Sequence, residues 1–366
     1  MDIVTGFMII ILALILLWQM KPAPKGTFYE NSFSLAVSKG IQGFFALLII
    51  AHHVYIFLNT RGIAAESLQC FEHAGVLLIG FFFFCSGYGL IISFHTKQNY
   101  LKGFVVKRVL IVLVPFFICN YAYLSVELLL GSRFRISELI AAFFGVLLLN
   151  SQMWFAVEIM CLYLIFYLLF SHVKDEKCSI AIIVLIIVGM SALTMLNCRS
   201  YELSNWYWGE WWYNTTMLFP IGMIVAEKKD LLRSLAVKHY RILLTISFVG
   251  FTIFRLLSNR ELHLRGYWTM KMMDKVQAYL LQVPSVIFFV MLLVLILLKV
   301  RVGNPLLDFL GKFSLEIILV NGVFLRLFLG IMQTYGLVCY LCLTFVGTIL
   351  SAVLLYKLKR SILELK

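Results

Sequence analysis

Two adjacent histidines, His52 and His53, close a run that is otherwise almost entirely apolar, KGIQGFFALLIIAHHV over residues 39–54. A neutral imidazole works as a general base or accepts an acyl group. A lone histidine in a membrane helix is explained well enough by a hydrogen bond to a neighbouring helix. Two in a row point about 100° apart, so no single small partner serves both. His53 and Gln42 are eleven positions apart, which returns to the same helix face after three turns. That face carries an imidazole near one end and a polar side chain near the other, the geometry of a site that must reach across a membrane. His52 is turned away from it.

Other polar residues interrupt apolar stretches at comparable depths. Glu158 lies near the outer end of its segment, at about the depth of His53, and a short carboxylate cannot snorkel far. It is the candidate to orient the His53 ring, because a carboxylate fixes the tautomer of a catalytic imidazole. Glu127, Arg255 and Arg326 also fall near outer ends, as snorkelling or paired side chains or as part of a site. The stretch HTKQNYLKGFVVKRVLIVLVP (95–115) gathers Lys97, Lys102, Lys107 and Arg108 at a membrane boundary. Such residues signal topology, or bind the phosphates of a cofactor. The loop CRSYELSNWYWGEWWYN (198–214) holds four of the seven tryptophans, Trp208 among them. It reads as an interfacial aromatic belt or as a surface on which sugar rings stack.

The elements that must position these residues are membrane helices. The chain has 366 residues, 62% hydrophobic and 13% charged, with a mean hydropathy of +0.95; a soluble domain is far more charged. Apolar runs long enough to span hydrocarbon recur at 3–19, 40–58, 75–94, 109–130, 153–171, 179–197, 213–227, 240–258, 278–300, 313–330 and 336–356, and 136–149 reads as re-entrant or interfacial. The net charge of +13 is distributed loop by loop: with the N-terminus outside, inner segments hold about 21 Lys and Arg against about 8 in outer loops, the positive-inside bias. The C-terminus is then cytoplasmic. Nothing resembles a nucleic-acid-binding face. The cysteines show no metal spacing, and Cys70 and Cys198, both in outer loops, leave a disulfide open. The expectation is an all-α polytopic transmembrane bundle of about eleven helices in one domain.

These motifs, in this order, resemble the acyltransferase-3 family of integral membrane O-acyltransferases over residues 33–330. KGIQGFFALLIIAHH is similar to the family's first core helix, which ends in the histidine usually taken as catalytic. FFFFCSGYGLI (81–91) is similar to its FF-x-x-SG segment, FVVKRVLIVLVP to its basic stretch leading to a proline, and NSQMWFAVEIMCLY to its Trp-Phe helix start. FPIGMIVAEKK (219–229) and LGKFSLEIILVNG (310–322) resemble its last two signatures. There are departures. Gln42 stands where the family usually has Arg, Ile111 where a second basic residue is common, and Ile318 and Asn321 where Tyr and His are common. Lys39, one turn from Gln42, is placed to supply the missing charge.

The resemblance implies a ten-helix core over about 33–357, with helix 3–19 as an N-terminal addition. It also implies a reaction in a bacterial inner membrane. Acetyl-CoA would be the acyl donor, without a metal, and a hydroxyl of an extracellular or lipid-linked polysaccharide the acceptor. Donor phosphates would lie near Lys39, Gln42, Lys107 and Arg108. His53 would be the base, oriented by Glu158, and Ser86, Tyr88, Trp154 and Trp208 would line the substrate side, with donors around Ser86 and Gly87 facing the oxyanion. A flippase for a lipid-linked glycan would share the helix count without needing this motif order. A relative that has lost activity would account for Gln42 and Asn321.

Overall fold

The computed structural model describes residues 3–198, 208–266 and 269–364. In chain order the helices are α1 (Ile3–Leu17), α2 (Leu35–Asn59), α3 (Ala74–Thr96), α4 (Ile111–Leu129), α5 (Ile136–Phe143), α6 (Trp154–His172), α7 (Glu176–Asn197), α8 (Trp211–Asn214), α9 (Leu218–Glu227), α10 (Lys229–Lys238), α11 (Tyr240–Arg265), α12 (Met272–Lys299), α13 (Pro305–Lys312), α14 (Ser314–Leu327) and α15 (Leu329–Ile362). Among the described residues the only strands are a two-residue pair, Lys21–Pro22 against Val300–Arg301. This is an all-α bundle, as expected.

Among the described residues, eight helices are long and apolar enough to cross a membrane. Three of the expected spans are shorter. The 3–19 run forms the 15-residue α1, 213–227 divides into α8 and the 10-residue α9, and 313–330 forms the 14-residue α14. A 14-residue helix reaches only about 21 Å, less than the hydrocarbon thickness. α14 follows α13 across a break at Phe313, the residue at which the expected span begins.

α2 is the most enclosed span, with 83% of its most apolar window buried, against 11% for α11. Ser34 caps its start by accepting the Val37 N–H at 3.4 Å. Along its length lie α3, α13 and α14. Glycine decides how closely they approach. A Cβ on Gly43 would lie 2.5 Å from the Gly311 nitrogen and 2.8 Å from the Leu307 carbonyl oxygen, so α2 and α13 touch backbone to backbone. At a second crossing, α3 on α9, a Cβ on Gly87 would land on the Phe219 carbonyl, and one on Gly222 on the Phe84 carbonyl. Helix contacts in membranes rely on close packing of this kind, since lipid is as apolar as the side chains.

The two ends of the bundle differ. α1 begins beside Ser67, whose carbonyl accepts from Thr5 Oγ1. It ends where Asn304 Nδ2 donates to the Ile15 carbonyl at 2.8 Å. Lys39, Arg108, Lys312 and Lys359 lie at the Asn304 end, together with the close of α15, while the His53 end of α2 and the Trp154 end of α6 lie at the other. α11 and α15 turn leucine, valine and isoleucine outward along their length, the surface a bilayer would cover. Introducing bulk at the crossings, by Gly43→Val or Gly222→Val, should destabilise the bundle by about 1–3 kcal/mol or more. Gly189, where an added Cβ would meet nothing within 4 Å, should tolerate Ala. Thermal unfolding of the detergent-solubilised variants checks the contrast.

Candidate functional site

At the end opposite the lysines, a cavity of ≈ 360 Å³ opens between α2, α3, α6 and the segment around α8. His52 and His53 line it from α2, Trp154 from α6, and Trp211 and Asn214 from α8. The Trp154 and Trp211 rings stack at 4.9 Å between centroids and 9° between planes, making one wall flat. Trp211 comes from the aromatic loop singled out in the sequence. Trp208 is half-buried in the same loop, and Tyr201, Trp206 and Tyr207 lie outside the described residues.

His53 is 8% exposed. Its Nδ1 meets the side-chain amide of Asn321, with Nδ2 at 2.8 Å and Oδ1 at 3.2 Å. An amide has a donor and an acceptor end, so it holds either ring tautomer in place. With Nδ1 occupied, Nε2 is the nitrogen left for chemistry, and it meets no hydrogen-bonding group among the described residues. When Oδ1 faces the ring and accepts from Nδ1–H, the Nε2 lone pair is free to take a proton. His52 is held differently. Its Nδ1 donates to the Phe71 carbonyl at 2.8 Å, and its ring sits over Gly75, where any Cβ would collide with it. The two imidazole centroids are 5.5 Å apart.

Glu158 does not take the position expected of it. It is fully buried, and Oε1 is hydrogen-bonded to Thr216 Oγ1. Thr216 also reaches the Trp211 carbonyl at 3.0 Å, so the carboxyl group stands behind the tryptophan wall. Asn321 holds the His53 ring instead. The reason is packing order: α14 lies along α2, whereas α6 packs against α4 and α7. Depth in the sequence was a sound guide to level in the bundle and gave no guide to neighbours. Of the other expected outer-end charges, Arg326 pairs with Glu127 at 2.8 Å, and Arg255 donates to the His73 carbonyl at 2.8 Å. Cys70 and Cys198 are both free.

The second polar group lies at the lysine end. Lys39 is exposed, within electrostatic reach of Cys85, Glu316, Arg108 and Lys359. Gln42 is buried beside the Cys85 thiol, and its Oε1 has no hydrogen-bond partner among the described residues. A π-helical turn over Val105–Leu110 precedes α4 and leaves Lys107 exposed and Arg108 half-buried. Arg108 Nε donates to the Tyr100 hydroxyl at 2.9 Å. Burial raises the Tyr100 phenol above its ordinary value, so it meets the guanidinium as a neutral acceptor. Glu316 and Lys359 form a buried ion pair. The structure therefore brings Lys39, Gln42 and Arg108 to one region and leaves Lys107 at its edge.

Ser86 and Tyr88 belong to this half of the bundle, on α3. Ser86 Oγ accepts from the Tyr163 hydroxyl at 3.4 Å, and Tyr88 packs edge-on against Phe33 at 5.1 Å. The oxyanion role expected around Ser86 and Gly87 does not fit: the Gly87 N–H lies inside α3, and the face its missing side chain would occupy is filled by the Phe219 carbonyl. Two residues, Glu316 and Asn321, hold positions that the sequence did not disclose. Glu316 carried the same signal as Glu158, a carboxylate inside an apolar run. Asn321 stood out as a departure from the family pattern, but its partner was not legible.

The family model for the acyltransferase domain of the acyltransferase-3 type matches residues 38–357. The chain belongs to that family and is a multi-pass membrane acyltransferase, an O-acyltransferase in kind; α1 lies outside the matched region. No curated protein and no solved structure matches the chain.

Removing the amide should loosen the ring without emptying the site. Asn321→Ala is expected to lower turnover about ten-fold, the size of one buried hydrogen bond, with the protein still folded. Acyl transfer at matched membrane abundance measures this, and undiminished turnover would separate Asn321 from His53 function.

Proposed function

We propose that the protein transfers an acyl group, most simply acetyl from acetyl-CoA, to a hydroxyl of an extracellular or lipid-linked carbohydrate. The observation that carries this reading is His53, pinned through Nδ1 with Nε2 left for chemistry, at the wall of a cavity large enough for a sugar ring. A sugar hydroxyl has a pKa far above 7 and attacks a thioester poorly unless a base takes its proton. His53 Nε2 takes that proton as the oxygen bonds to the acyl carbon. The carbon–sulfur bond then breaks, and the departing thiolate receives the proton from the imidazolium. No metal is needed for this step.

The donor side is assigned to the lysine end. Lys39 and His53 are fourteen residues apart on α2, about 21 Å by helical rise, a distance an extended pantetheine arm can cover. Phosphates beside Lys39 and Arg108 would then sit near the membrane boundary while the thioester reaches His53. The charge asymmetry orients this end to the cytoplasm of a bacterial cell, where acyl-CoA is made, with the N-terminus and the cavity outside. Gln42 and Lys107 border the same donor region, while Trp154 and its neighbours face the acceptor.

Two sets of variants test the assignment. General-base help is typically worth about 10²–10⁴-fold, so His53→Ala should lose that much transfer, whereas His52→Ala should lose far less. A dead His52→Ala beside an active His53→Ala would reverse the assignment. Arg108→Ala should raise the KM for acyl-CoA more than it lowers kcat, because a phosphate contact is shared by ground and transition states. A fall in kcat at constant KM would count against a donor contact there.

A further inference from the structure

We propose that the pantetheine arm of the donor runs between α2, α3 and α6 past Cys85, and that Gln42 accepts a hydrogen bond from one of its amide N–H groups; this rests on the donor side proposed above. The first observation is an acceptor left unmet. Gln42 is 6% exposed, and its Oε1 has no partner among the described residues. Buried polar atoms are ordinarily satisfied, and an amide oxygen in this position asks for a donor. Gln42 stands where the family resemblance expects Arg. A neutral amide there suits a neutral stretch of the ligand, where a guanidinium would suit a phosphate.

The second observation is accessibility where close packing would be expected. Cys85 and Ser86 lie near the middle of α3. Cys85 is beside Gln42 of α2 and within electrostatic reach of Lys39, and Ser86 Oγ accepts from the Tyr163 hydroxyl of α6 at 3.4 Å. Both therefore point into the bundle, yet both are only half-buried. Side chains that face inward and keep accessible surface border a space, not lipid. Lys39, exposed between buried Ser38 and Gly40, stands at its mouth, and the π-helical turn that carries Arg108 packs against α6. Order along α2 matches order along the donor. Lys39 comes first, Gln42 follows about 4.5 Å further by helical rise, and His53 about 16.5 Å beyond that. Phosphates, amides and thioester succeed one another in the same sequence. The Cys85 thiol is free, so its reactivity reports whether anything lies beside it.

The test is alkylation of the full-length protein in lipid nanodiscs by N-ethylmaleimide, read cysteine by cysteine by mass spectrometry. Cys85 should be labelled in the free protein. CoA at about ten times its Kd should slow that labelling about ten-fold, as the fraction of open sites falls. Cys178, exposed near the start of α7, should be labelled at an unchanged rate. Adenosine 3′,5′-bisphosphate, which keeps phosphates but lacks the arm, should compete with CoA and leave Cys85 open. Gln42→Leu should raise the Kd for CoA about ten-fold, the size of one buried hydrogen bond, with the Kd for the bisphosphate in place. Cys85 that is never labelled, or that the bisphosphate protects as well as CoA does, would overturn the proposal. So would CoA that binds without slowing the labelling, or a folded Gln42→Leu protein that binds CoA as the wild type does. The alkylation result stands even if Gln42→Leu fails to fold. If CoA does not bind at all, the donor side itself falls, and this proposal with it.

Discussion

The contact on which the site depends is the backbone-to-backbone crossing of α2 and α13 at Gly43 and Gly311. In a membrane no hydrophobic gain draws two helices together, so approach is set by how small the residues between them are. With glycine on both sides, α13 lies against α2, and α14, which follows it across a single break, is carried along the same helix. That is what delivers Asn321 to His53, 268 positions away in sequence. A larger residue at either glycine would push α14 outward, and the histidine would lose its partner before any residue of the cavity had changed. The α3–α9 crossing at Gly87 and Gly222 does the same for the α3 wall. Two of the stretches that resemble family motifs thus meet at their glycines, which makes their role there one of packing.

The rest of the arrangement follows from the cost of polar groups in hydrocarbon. The histidines and charged groups around the site are drawn to a partner or to a space that water and ligands can enter. At the lysine end the solution is charge against charge, Glu316 with Lys359, with Lys39 and Arg108 beside them. At the cavity end it is mostly neutral: an amide on His53, a backbone carbonyl on His52, a threonine on Glu158. The division suits the reaction proposed above, in which the donor is a polyanion and the acceptor a polyol. It also explains why a single long helix, α2, carries residues for both.

Much of the fold was legible from hydropathy, because a spanning helix must be continuously apolar. Long runs such as those of α7 and α12 therefore announced themselves. Broken elements did not: the end of α8 and all of α9 read as one span, 213–227, because the break between Asn214 and Leu218 holds no charged residue. The depth of His53 and Glu158 followed from counting residues along helices. Their partners did not, since two residues at the same level can lie on opposite sides of a bundle, and only packing decides. Glu158 and Asn321 changed places for that reason. The tryptophan loop was recognised as dense, yet which indole would face the cavity depended on the turn that seats Trp211 on Trp154.

A double-mutant cycle between His53 and Asn321 tests the central claim most directly. If Asn321 acts by holding the catalytic ring, its effect on acyl transfer requires the ring. Asn321→Ala should then slow the wild-type protein but cause no further loss in the His53→Ala background, a coupling outside what independent sites show. Losses that simply multiply, with each substitution acting fully in the presence of the other, would contradict the account.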